Sequence, residues 1–139
     1  MSSGPLQLTA LQDFPLVSAG DDLAEMIVHA MQQQGLTPDA SGVLVVAQKI
    51  ISKSEGRLVN LADVRVTEDA ASLAADAQKD PRLVTLILQE SRAVIRIRPG
   101  LVIAEHRTGH ILANAGIDAS NVGVSGDHVL LWPEDPDES

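Results

Sequence analysis

The sequence contains no cysteine and no tyrosine, and one phenylalanine and one tryptophan are its only aromatic residues apart from four histidines. Without thiols, disulfides, thiolate catalysis and zinc-thiolate sites are excluded. Without stacking side chains, and with a formal charge of −9, sequence-tolerant binding to nucleic acid lacks both its platform and its electrostatic footprint. No run of about 18 apolar residues suggests a membrane span, and the opening Met-Ser-Ser-Gly-Pro lacks the basic and apolar regions of a secretion signal. A cytoplasmic location is expected by default. Three chemical signatures are also missing. There is no Gly-x-x-x-x-Gly-Lys-Ser/Thr and no Gly-x-Gly-x-x-Gly, hence neither standard phosphate-cradling loop, and no Gly-x-Ser-x-Gly, hence no hydrolase elbow.

What is present is ordinary globular composition: 139 residues, 45% hydrophobic and 21% charged, enough for one domain with its own, almost wholly aliphatic core. That domain is expected over residues 1–132, with residues 133–139 an acidic tail or linker holding Glu134, Asp135, Asp137 and Glu138. Only ten basic residues stand against nineteen acidic ones. The cations available to hold an anionic small molecule therefore come from a short list.

Along the chain, Leu6, Leu8 and Ala10 alternate with polar residues and suggest a first strand, followed by an extended segment Asp13–Val17 held by Pro15. Asp21 or Asp22 caps a helix in which Leu23, Met26, Ile27 and Ala30 share a face; Asp22 and Glu25 form a capping-box-like pair, and Gly35 ends it. Val43–Ala47 is a continuous apolar run, the mark of a strand buried on both faces. It gives way to a polar segment, Gln48–Arg57, with Lys49, Lys53 and Arg57, and chemistry tends to sit at such strand exits. A short strand is expected at Leu58–Leu61, a helix from Thr67 to about Asp76, and another starting at Asp80-Pro81 with Leu83, Leu86 and Ile87 buried. Ala93–Ile97 alternates apolar residues with arginines Arg92, Arg96 and Arg98; a hairpin of Leu101–Ala104 and His110–Ala113 follows, then a last strand at Val129–Leu131. Helices and strands mix without strict alternation, so the expected class is α+β, a mixed sheet with about three helices.

One polar octet, Asn114–Asn121, combines a carboxylate, a hydroxyl and two amides around Gly116. Asp118, Ser120 and Asn121 suit a hydrated divalent cation or a phosphate, and equally suit an Asx-turn closed on its own backbone. Lys53, flanked by Ser52 and Ser54 and followed by Gly56, suits either a phosphate or a solvated loop. His106 and His110, split by a turn, are expected to point apart, and His29, within the first helix, to be a surface or edge residue.

Five blocks in order carry more than any one of them: Phe14-Pro-Leu-Val17, Gly20-Asp-Asp-Leu23, Ile51-Ser-Lys-Ser-Glu-Gly-Arg57, Asn114–Val122 and Leu130–Asp137. Together they closely resemble the amino-terminal half of the coenzyme F-420-0:L-glutamate ligase family of gamma-glutamyl ligases. The resemblance implies use of GTP and a divalent cation, Mg2+ or Mn2+, to join a carboxylate of coenzyme F-420-0 to the amine of L-glutamate through an acyl phosphate. It implies Asp118 as a metal ligand, Asn121 and Lys53 as GTP contacts, and Phe14, Pro15, Leu16 and Val17 as the stretch lying against the nucleotide. Gln48 occupies a place where relatives carry a serine that touches GTP; an amide still donates a hydrogen bond there. The resemblance further implies a homodimer, and a longer family chain whose second half supplies more metal ligands, so that this half alone turns over poorly. The competing reading is a non-catalytic nucleotide-binding or assembly module of the same fold.

Overall fold

The computed structural model describes residues 6–37, 42–119 and 127–136. In chain order the elements are α1 (Leu23–Gln33), α2 (Gln48–Ser54), β1 (Leu58–Asn60), α3 (Glu68–Ala77), α4 (Pro81–Gln89), β2 (Ser91–Arg98), β3 (Leu101–His106), β4 (Ile111–Ala113) and β5 (His128–Leu130), with short 3-10 turns at Leu61–Asp63 and Asn114–Gly116. The class is α+β. The described residues form two antiparallel sheets, β1–β5 and the meander β2–β3–β4, and four α-helices, because Gln48–Ser54 is one.

The helix boundaries follow local chemistry. Asp22 Oδ1 accepts from the Glu25 N–H at 3.0 Å. At the other end of α1, Gly35 takes φ +65°, and the N–H groups of Leu36 and Gly35 bond the carbonyls of Met31 and Gln32, the paired bonds of a Schellman ending. The Thr67 hydroxyl caps α3 through Ala70, and Asp80 caps α4 through Arg82, with Pro81 in the first turn. Hydrogen bonds from the Arg82 side chain hold the Asp80 carboxyl below its usual range.

Ile87, Leu86, Ala77, Leu61, Val102, Ala104, Ala115, Ile117, Val129 and Leu131 form the core, which brings α4 onto β3 and the β1–β5 pair. Ala70, Ala74 and Val84 seal α3 against α4. Strand β2 departs from strict alternation: register shifts between Ser91 and Ala93 and between Val94 and Arg96 break the period, leaving Ile95 exposed among the arginines. Arg92, Arg96 and Arg98 are exposed, the sheet-surface reading, with Arg92 3.9 Å from Glu105 on the adjacent strand.

Two expected strands are absent. Residues 6–10 have no regular structure, and the apolar run Val43–Ala47 is neither a strand nor buried: Val43 is 87% and Val45 85% exposed. A strand covered on both faces needs ladder partners and flanking layers, and every described strand pairs elsewhere. Among the described residues before Gln48, Val17 and Ala30 alone are buried, and none joins the core clusters.

Candidate functional site

Where a polar exit segment was expected, Gln48–Ser54 winds into a helix, and that changes which side chains face the same way. Its C-terminus closes as α1 does: Gly56, at φ +69°, and Arg57 donate to the carbonyls of Lys53 and Ser52. Lys49 and Lys53, four residues apart, lie one turn apart on one face. Across from it, Asp118 is fixed by two backbone bonds to Leu130, N–H to O at 2.9 Å and the reverse at 2.8 Å. Its Oδ2 lies 2.7 Å from the Lys49 ammonium. The octet thus reaches α2 through Asp118, whose carboxylate meets a cation from another element. Its opening residues turn sharply, with Asn114 and Ala115 at φ of 51° and 54°.

The segment before α1 arrives at the other end of the same helix. The Gly20 N–H donates to the Ser54 carbonyl at 2.8 Å, next to Lys53, and the Ser18 N–H donates to Asp21 Oδ2 at 2.7 Å. Within the Phe14–Val17 stretch, Val17 is buried, Phe14 half-buried, Pro15 exposed and Leu16 91% exposed, so most of this stretch offers surface rather than core. Lys53 forms no ion pair among the described residues and is half-buried. Gln48 donates its amide to the buried Ser52 hydroxyl, which engages the donor assigned to a nucleotide contact. Asn121 and Ser120 lie outside the described residues.

Two grooves among the described residues lie elsewhere. One, of about 740 Å³, runs between Gln12–Pro15 and α1 and is lined by Asp13, Asp21, Asp22 and Glu25, the wrong sign for phosphates. The other, of about 730 Å³, is lined by Arg107, Thr108, His110, Trp132, Glu134 and Asp135. Neither includes Lys49, Lys53 or Asp118.

Behind the second groove is a charged cluster with no local signature along the chain. Glu90 Oε2, on a side chain only 8% exposed, meets Arg57 Nη2 at 2.7 Å, Arg107 Nη2 at 3.3 Å and His106 Nε2 at 3.4 Å. Arg57 also donates from Nε to the Trp132 carbonyl at 3.0 Å. The Thr108 N–H donates to His106 Nδ1, which assigns the ring proton to Nε2, facing Glu90. His106 and His110 do not point apart. Both reach the Thr108 hydroxyl, at 2.8 and 2.9 Å, because the Gly109 turn pairs the two residues through the His106 N–H and the His110 carbonyl and sets their side chains on one face.

Burial lowers the His106 pKa, with Arg57 and Arg107 acting the same way and Glu90 opposing them. A histidine held neutral in the fold but titrating near 6.5 when unfolded contributes stability that is full above 6.5 and is lost as pH falls below it, because the unfolded chain takes up the proton first. Thermal unfolding followed from pH 7.5 to 5 should show wild type losing stability more steeply than His106→Gln, by at most about 1.4 kcal/mol per pH unit. Parallel curves would show that His106 does not titrate on unfolding.

Among the described residues no group of three or more His, Cys, Asp or Glu side chains is placed to hold a metal. Asp118 is one carboxylate that already accepts a cation, which fits a hard ion that keeps its waters and arrives on a phosphate, not an all-protein cage. A family model described as F420-0:gamma-glutamyl ligase matches residues 12–139. A coenzyme F420:L-glutamate ligase of Methanothermobacter thermautotrophicus is 38% identical over 96% of this chain and 52% of its own length. The proteins of the same name in Methanopyrus kandleri and Halorubrum lacusprofundi are 37% and 40% identical over 98% and 96% of this chain, and 52% and 53% of theirs. The chain spans about half the length of the curated relatives it matches.

Proposed function

Because this chain belongs to the F420-0:gamma-glutamyl ligase family, we propose that it carries one wall of the active site that joins L-glutamate to coenzyme F-420-0 at the expense of GTP. The observation that carries this reading is the 2.7 Å approach of Asp118 to Lys49, which sets a carboxylate beside a helix face bearing two lysines. That combination suits phosphoryl transfer, where charge neutralisation and positioning do most of the work and no covalent protein intermediate is needed.

In the proposed sequence the γ-phosphoryl group of GTP passes to a carboxylate oxygen of F-420-0, releasing GDP and leaving an acyl phosphate. The glutamate amine then attacks the acyl carbon, loses a proton and expels phosphate, forming the amide. Lys53 supplies positive charge to the transferring phosphates. Asp118 is the carboxylate that would hold Mg2+ or Mn2+, and that ion, when bound, would neutralise phosphate charge. Phe14–Val17 lies against the nucleotide, reaching α2 through Gly20. Gln48 contributes only if its amide exchanges Ser52 for a nucleotide oxygen, and Asn121 is proposed as a further GTP contact. Assembly as a homodimer belongs to the same reading. A second reading is a nucleotide-binding or assembly module of the same fold without turnover.

Calorimetric titration with GTP and Mn2+ tests the site. Lys53→Ala and Asp118→Asn should each weaken binding about tenfold or more, the usual scale for removing a charged hydrogen-bond partner. Unchanged affinity in both variants would refute the assignment. A glutamate-ligation assay on the wild-type chain then separates the two readings: formation of GDP dependent on F-420-0 favours the ligase, and tight GTP binding without GDP favours the module.

A further inference from the structure

Lys49, which pairs with Asp118, is a residue at this site that neither the motif blocks nor the family resemblance singled out for a role. We propose that Lys49 is a placeholder cation: its ammonium occupies Asp118 until a divalent ion arrives, then yields the carboxylate and turns to the incoming phosphates. This rests on Asp118 being a metal ligand. Both backbones are fixed, Asp118 by its bonded pair with Leu130 and α2 by its closed C-terminus and the Gly20 bond. The carboxylate therefore stays in place while the four-carbon lysine stem is the part free to move. With both side chains about one-third exposed, at 35% and 29%, the pair is open to exchange rather than sealed. An ammonium 2.7 Å from Oδ2 stands where an ion bound about 2 Å from that oxygen would meet it. Two cations cannot share the position, so filling one empties the other.

The arrangement couples metal and nucleotide. Without phosphates, Lys49 neutralises Asp118 and opposes metal entry. With them, it has a second anion to go to, and the opposition falls away. Lys53, one turn further along the same face, makes no ion pair among the described residues.

Manganese chloride titrated into the chain without nucleotide provides the test. Lys49→Met should bind Mn2+ about three- to fivefold more tightly than wild type, the scale of a partly exposed ion pair. Lys53→Met, which removes the same charge one turn away, should change binding by less than about twofold, and Lys49→Arg should retain the competition. Equal or weaker binding by Lys49→Met, an equal gain in Lys53→Met, or no Mn2+ binding by either wild type or Lys49→Met would each overturn the proposal. Wild-type Mn2+ affinity in a folded Asp118→Asn would instead refute the metal-ligand reading. If Asp118 binds Mn2+ and Lys49→Met does not gain, the reading stands and only the placeholder role fails.

Discussion

Glu90→Ala should unfold about 3–5 kcal/mol more easily than wild type, a fall of roughly 10–15 °C in melting temperature. Removing the carboxylate leaves Arg57, whose side chain is only 16% exposed, with a buried charge and only the Trp132 carbonyl as a remaining bonded partner, and leaves His106 Nε2 with no acceptor. The damage spreads because the cluster ties the chain's middle together. Arg57 leads into β1, Glu90 ends α4, and His106 ends β3, so three elements lose a common anchor. Glu90→Gln, which keeps an acceptor but not the charge, should lose less. Arg107→Ala should lose least, since the Arg107 side chain is 34% exposed and lies farther from the Glu90 carboxylate than Arg57 does. Denaturant midpoints for the three variants check that order; a loss below about 1 kcal/mol for Glu90→Ala would mean the cluster contributes little.

Gly116→Ala should cost about 2–4 kcal/mol, far more than the same change at Gly100. Both glycines have left-handed backbone, φ +76° and +81°, but a Cβ at Gly100 meets nothing within 4 Å. At Gly116 it would lie 2.7 Å from Trp132 Cε3 and 3.1 Å from Leu112 Cδ1. The indole ring lies with its centroid 6.4 Å from that of His106. Conformational strain alone predicts about 1 kcal/mol at Gly100; the excess at Gly116 measures the clash. Trp132→Leu should relieve part of it, so that the double variant is less destabilised than the sum of the two single changes. Strict additivity, measured by chemical denaturation, would show that the indole is not the obstacle.

Helices α1, α3 and α4 were legible because Asp22, Thr67 and Asp80 act within three residues of themselves, and such signals survive without tertiary information. Helix α2 was not, since the apolar run before Gln48 made a strand exit the natural reading and no side chain caps its start. The run itself misled because burial is a property of partners: Val43–Ala47 has the composition of a covered strand without the cover. At the site, Asp118 and Lys53 came from the resemblance of motif blocks, whereas Lys49 required knowing that 48–54 is helical. Its four-residue spacing from Lys53 was the available signal. The Glu90 cluster joins residues 16 and 33 positions apart through side chains whose types are common everywhere, and nothing local marks it.

The exposed run has a consequence for how the chain behaves in concentrated solution. Gly42-Val-Leu-Val-Val-Ala47 is rich in β-branched residues, uncharged and free of proline, the composition of a segment that templates sheet growth between molecules. What keeps copies apart is their mutual repulsion at a formal charge of −9. That repulsion reaches about 30 Å at 0.01 M salt but only about 3 Å at 1 M. Ionic strength therefore acts as the throttle on self-association: dilute buffer preserves a dispersed protein, and added salt removes the only long-range force opposing the stickiness of six residues.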